Sequence, residues 1–166
     1  MERHSKFQIP DSKFLECIIL IGLPGAGKTT FYRRYFAATH VHISKDLWPH
    51  ASGRDVRQRR AIDEALAAGR PVVVDNTNPT AADRAPVIAA AHARGAQAIG
   101  YFFDVTSRVA IARNEERSGR ARVPKVAIFA VAKRLEQPGR AEGFDQLFCV
   151  HIAADRSFRV VEASDG

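Results

Sequence analysis

The sequence predicts an α/β domain of three layers: a central, mostly parallel sheet of about five strands with helices on both faces. Three observations predict it. Short runs rich in aliphatic and aromatic residues recur at Glu16 to Ile21, Val41 to Ser44, Val72 to Val74, Gln97 to Phe103 and Gln146 to Ile152. Several carry no polar alternation, as strands buried on both faces do. Stretches of helical length lie between them, two of them stopped by glycine, and such alternation implies right-handed crossovers. With 166 residues, 46% hydrophobic and 26% charged, the chain reads as one globular domain with its own core.

Taken in order, residues 1–14 read as a flexible arm, with Pro10 and Asp11 as breakers, and the domain runs over 15–166. After the first strand a helix is expected from Thr29 to about Ala38, turning Phe31, Tyr35 and Phe36 inward and Arg33 and Arg34 outward. A second helix is expected from Arg54 to Ala68, with Val56, Ile62, Ala65 and Leu66 at core spacing and Gly69 ending it. Thr80 is placed to cap a third helix over Ala81 to Arg94, stopped by Gly95. Thr106 or Ser107 caps a fourth, reaching about Ser118, and Lys125 to Leu135 forms a fifth. Phe158 to Val161 is a candidate edge strand.

The most informative stretch is Ile18 to Thr30, IILIGLPGAGKTT. A buried strand runs into G-x-x-x-x-G-K-T, closed by Gly22, Gly27, Lys28 and Thr29, and a helix follows. Glycines permit a loop whose backbone N–H groups turn inward onto phosphate oxygens, and the positive end of the helix favours the same anion. Lys28 is placed for the β- and γ-phosphates and Thr29 for Mg²⁺. Gly22, Gly25, Ala26, Gly27, Lys28, Thr29 and Thr30 are therefore the expected nucleotide-binding residues, in a P-loop NTPase or kinase fold.

Ligands on such sheets bind beyond the carboxyl ends of the strands. Ser44, Lys45 and Asp46 follow the second strand. Asp46 is the candidate general base toward a hydroxyl, and reads equally as a cap. Lys45 is a candidate phosphate contact, or solvated. Trp48 either stacks on a base or is part of the core. Asp75, with Asn76, Thr77 and Asn78, follows the third strand; Asp75 is a candidate for the metal and acceptor side, or starts a turn in D-N-T-N-P. Arg113 and Arg117, four apart, are expected on one face of the fourth helix, where they suit a transferring phosphoryl group or form a solvated basic face.

Net charge is +7 and the isoelectric point about 9.9. Arg54 to Arg60 carries four Arg against one Asp, and Arg108 to Lys125 six cations against two Glu. That concentration favours a polyanionic partner. Cys17 and Cys149 form no C-x-x-C pair and read as buried thiols, and no metal constellation is expected of the histidines. No membrane-spanning or signal-like run is present, so a cytoplasmic protein is expected.

The segments GLPGAGKTT, ISKD, VVVDNTNP, ARNEER and EQPGRAEGFD occur in this order. In that order they resemble the kinase domain that phosphorylates 5′-hydroxyl ends of DNA and RNA in end-healing kinase-phosphatases. The resemblance covers about Glu16 to Ile152. It implies ATP and Mg²⁺, Asp46 as general base, Asp75, Asn76 and Thr77 in the acceptor segment, and Arg113 and Arg117 as lid arginines with Lys28 on the phosphates. Three departures stand out: Ser44 and Lys45 replace the Asn and Arg common in the family, the stretch from Trp48 to Arg60 is short, and no phosphatase module is expected within these 166 residues. The alternatives are a P-loop kinase for a sugar, nucleoside or antibiotic hydroxyl, and a non-catalytic ATP-binding switch.

Overall fold

The computed structural model describes residues 7–9, 13–119 and 122–164. The expected breakers Pro10 and Asp11, and Arg120 of the second basic segment, lie outside them. One sheet of six strands has the order β2-β3-β1-β4-β5-β6, with β1 at Glu16–Ile21, β2 at Val41–Ile43, β3 at Val72–Asp75, β4 at Gln97–Phe103, β5 at Gln146–Ile152 and β6 at Phe158–Glu162. The first five are mutually parallel, and β6 adds an antiparallel edge beside β5. The expected edge strand is therefore real and raises the count to six.

The helices are α1 (Lys28–Tyr35), α2 (Arg54–Ala67), α3 (Ala81–Ala93), α4 (Ser107–Glu115) and α5 (Lys125–Arg134). Period-two alternation along β1 divides the core. Cys17, Ile19 and Ile21 face α2 and α3 with Ile62, Leu66, Val87 and Ile88, while Ile18 and Leu20 face Phe31, Ala110 and Ile128 of α1, α4 and α5. Each fully buried aliphatic side chain here contributes about 1.5–3 kcal/mol. Gly100 is needed for this packing, because a Cβ would lie 2.7 Å from Leu147. Phe7 of the expected arm stacks on Phe31 with ring centroids 5.9 Å apart.

Three expectations change. Val56 is exposed, and the buried stripe of α2 is Gln58, Ile62, Ala65 and Leu66. Val56 lies on the open side of the helix, beside Gly53, Arg57 and Arg60. Helix α4 ends at Glu115, so Arg117 stands past the helix and not on its face. The cause is Asn114, buried at the helix end. Its amide donates to Val123 O at 2.6 Å and accepts from Val123 N–H at 2.9 Å, which folds the following chain back. Cys149 is only half-buried, and both cysteines are free.

Thr80 caps α3 as expected, in a reciprocal arrangement with Asp83. Pro86 sits inside α3 and removes one N–H from its ladder. Arg84 on the same helix is fully buried. It donates to both carboxylate oxygens of Glu142, at 2.8 and 3.1 Å, and to the carbonyls of Asn78 and Glu136. One guanidinium thus ties the segment after β3 to the chain beyond α5.

Candidate active site

The loop between β1 and α1 curls under its own lysine. Lys28 Nζ donates to Gly22 O at 3.0 Å and Leu23 O at 2.7 Å. Burial pulls its pKa from 10.5 down to about 8; Arg117 acts in the same direction, and Asp75 and Asp46 oppose. The charges of all three sequence-selected residues are therefore felt at this ammonium. Gly25 has φ 83°, and a Cβ there would come 2.6 Å from Ala110 O. Gly27 has φ 97°, and a Cβ would meet Arg113 Nη2 at 3.2 Å. Both glycines answer to α4 lying against the loop as much as to the turn itself. Ala26 is buried, Thr29 half-buried and Thr30 exposed on α1.

Asp75 ends β3 and is buried. Its Oδ2 accepts the Thr29 hydroxyl at 2.8 Å and meets His42 Nε2 at 2.8 Å. The His42 ring lies flat on Tyr32, with centroids 4.2 Å apart and planes inclined by 17°. His42 was not singled out from the sequence, although a signal existed. Alternation along Val41, His42 and Ile43 turns its side chain toward the α1 face, where Thr29 waits. Thr29 and Asp75 bring a hydroxyl and a carboxylate together beside the loop, hard oxygen donors of the kind magnesium takes alongside phosphate.

The segment after β3 is fixed to its neighbours. Gly22 N–H donates to Thr77 O at 3.0 Å, Lys45 N–H to Asn76 Oδ1 at 2.9 Å, and Asn76 Nδ2 to Gln58 Oε1 at 2.6 Å. Asn78, at φ 45°, donates to Leu20 O at 2.7 Å. Lys45, Asp46, Asn76 and Thr77 all line a cleft of about 460 Å³ between α2 and α3, with Arg54, Arg59 and Arg134 on its walls. Lys45 pairs with Asp55 at its rim. Asp46 is exposed in a short 3₁₀ turn, Lys45–Leu47, whose cap is Ser44 Oγ accepting Asp46 N–H at 3.2 Å. Ser44 therefore has a local structural task.

Arg113 is half-buried and its Nε donates to Gly25 O at 3.0 Å. Burial, with Arg117 and Arg156 facing it, holds its guanidinium below the usual arginine range. The charge of Arg117 is felt at Arg113, from beyond the end of α4 instead of from its face.

A family model described as an AAA domain, AAA_33, matches residues 17–138. The chain belongs to that family. It is accordingly a P-loop kinase domain, a family that binds nucleotide. A curated relative, a putative bifunctional polynucleotide phosphatase/kinase of Acanthamoeba polyphaga mimivirus, is 36% identical over 70 residues, 42% of this chain. The match spans only 16% of that relative's length. Among solved structures, a gluconokinase from Sinorhizobium meliloti 1021 superposes with a TM-score of 0.60 at 21% identity, covering 86% of this chain and 85% of the other. The Pnkp1/Rnl/Hen1 RNA repair complex gives 0.62 at 24% identity, over 76% of this chain and 45% of that chain. These two likenesses establish the fold of the P-loop kinase domain.

Among the described residues no group of three or more His, Cys, Asp or Glu side chains is placed to hold a metal ion, and no helix is long and apolar enough to cross a membrane.

Proposed function

We propose that this chain transfers the γ-phosphoryl group of ATP to a hydroxyl, and that the acceptor is the 5′-hydroxyl end of DNA or RNA. The observation that carries the reading is the cleft between α2 and α3. It is lined by Asp46, Lys45, Arg54, Arg59 and Arg134 together with Asp55 and Asp83, and the Thr77 carbonyl accepts the Gly22 N–H of the phosphate loop at 3.0 Å. An exposed carboxylate with Lys45 and three arginines in the same cleft suits an acceptor that brings both a hydroxyl and phosphates. The resemblance of the phosphate loop, ISKD and D-N-T-N-P segments to polynucleotide kinases, and the short curated match, support the same acceptor.

In this mechanism Asp46 takes the hydroxyl proton as the oxygen–phosphorus bond forms and the bond to the ADP oxygen breaks. Lys28 and the loop N–H groups hold the β- and γ-phosphates, and Arg113 and Arg117 face the charge on the transferring group. Magnesium, held by Thr29 and Asp75, would neutralise phosphate charge. Lys45, Asn76 and Thr77 position the acceptor. The test is transfer of labelled γ-phosphate to 5′-hydroxyl oligonucleotides and to a panel of sugars and nucleosides. Asp46→Asn is expected to keep nucleotide binding and lose transfer by about 10²–10⁴-fold; unchanged transfer would remove Asp46 from the base role.

A small hydroxyl compound is the second reading, favoured by the modest size of the cleft. Transfer to an oligonucleotide that falls steeply between about 50 and 200 mM salt supports the first. Transfer confined to a small metabolite supports the second.

A further inference from the structure

Helix α2 has two flanks, and only one has been used. Arg54 and Arg59 face the acceptor cleft. The opposite flank lines a second, open groove of about 520 Å³ with Trp48, Arg57 and Arg60, and Glu64 at its far end along the helix. Trp48 is half-buried against the core, which fixes its ring, and the Arg57 guanidinium lies 4.7 Å from the ring centroid. At the amino end of α2, Gly53 lines the second groove and its neighbour Arg54 lines the cleft. There Gly53 has no neighbour within 4 Å of where a Cβ would stand, and no side chain caps the helix. The first-turn N–H groups of such a helix have no intrahelical partner and suit a phosphate.

We infer that the second groove is the subsite for the next nucleotide of a single-stranded acceptor. The strand leaves the cleft over Gly53, sets its second phosphate at the amino end of α2, and lays its second base on the guanidinium plane that Trp48 holds. Arg60 adds charge to the phosphate side. Guanidinium planes backed by an aromatic ring stack on any base, so this contact is indifferent to sequence. A sugar or free nucleoside has nothing to put there. The inference rests on the proposed nucleic-acid acceptor and gives it a preference for strands of at least two nucleotides.

The test compares a nucleoside 3′-monophosphate, a dinucleotide that carries a 3′-phosphate and a hexanucleotide, all with free 5′-hydroxyl, in steady-state transfer with ATP and magnesium. One stacked base is worth about 1–3 kcal/mol, so KM is expected to fall roughly 5- to 150-fold from the mononucleotide to the dinucleotide. It should then level off. Arg57→Ala and Trp48→Ala should each shrink that ratio below about threefold. Trp48 is the only tryptophan in the chain, so its fluorescence is a second readout. Dinucleotide binding should change the emission, and the mononucleotide should leave it as it was. Arg57→Ala keeps the reporter if Trp48→Ala fails to fold. Equal KM for mononucleotide and dinucleotide, or a ratio indifferent to Arg57→Ala, would overturn the subsite and leave the acceptor class standing. No transfer to any 5′-hydroxyl nucleotide, with transfer to a small hydroxyl compound, would overturn both.

Discussion

Replacing Lys28 by methionine keeps the length of the side chain and removes a buried charge, and the consequence is a slope in stability against pH. In the nucleotide-free protein the residue is 8% exposed. Its pKa drops from 10.5 to about 8, chiefly through burial. At about 1.4 kcal/mol per tenfold change, the folded state carries about 3 kcal/mol of unfavourable charge burial at pH 7. The folded protein holds this proton less tightly than the unfolded chain. The penalty is therefore fully present below about pH 8 and is relieved as pH rises from about 8 toward 10.5. Between pH 7 and 9 wild type should gain about 1 kcal/mol over Lys28→Met. The gap at pH 7 also includes two lost hydrogen bonds to Gly22 and Leu23, but those do not titrate. The Cys17 thiol, pushed up to about 12, contributes the opposite slope in both proteins and cancels in the difference. Urea unfolding of both proteins without nucleotide, at the two pH values, is the measurement. Parallel pH dependences would refute the reasoning, because they would mean that the ammonium is hydrated in the folded state.

Gly25→Ala should destabilise by at least about 1–3 kcal/mol from its left-handed backbone alone, with the clash against Ala110 O added. Gly69→Ala shares the backbone, at φ 73°, but has open space, so the difference in thermal unfolding between the two isolates the clash. Arg84→Leu leaves the Glu142 carboxylate without its bidentate partner and should cost about 3–5 kcal/mol, partly recovered by adding Glu142→Leu, as read by denaturant unfolding. His42→Ala removes one of the two groups on Asp75 Oδ2 and should raise the magnesium concentration needed for tight ADP binding by roughly tenfold, measured by calorimetry.

The fold was legible because its signals are local. The aliphatic runs, the cap at Thr80 and the glycines at 69 and 95 each decide a boundary without reference to distant chain. The phosphate loop was legible for the same reason. The misjudged positions depend on what lies across from them. The spacing of Val56 suits a buried face, yet it stands on the open flank of α2 with Arg57 and Arg60. Arg117 has helical spacing from Arg113, yet Asn114 spends its amide on Val123 and ends the helix between them. The buried Arg84 could not be found from composition, since its partner Glu142 is 58 residues away in sequence. His42 shows the intermediate case: alternation gives its direction, but only the assembled sheet brings Asp75 beside it.

The antiparallel strand β6 has a consequence for how copies of this chain behave together. A parallel sheet ending at β5 would expose a seven-residue edge of unpaired backbone groups, a template for another strand. Pairing with β6 replaces that edge by one of five residues that carries Arg159 and Glu162 outward. Glu162 is further engaged by Arg140 at 2.7 Å. The opposite edge, β2, is three residues long. Short and charged margins discourage edge-to-edge pairing, so the sheet is guarded against aggregation at both sides while its carboxyl ends stay open to ligand.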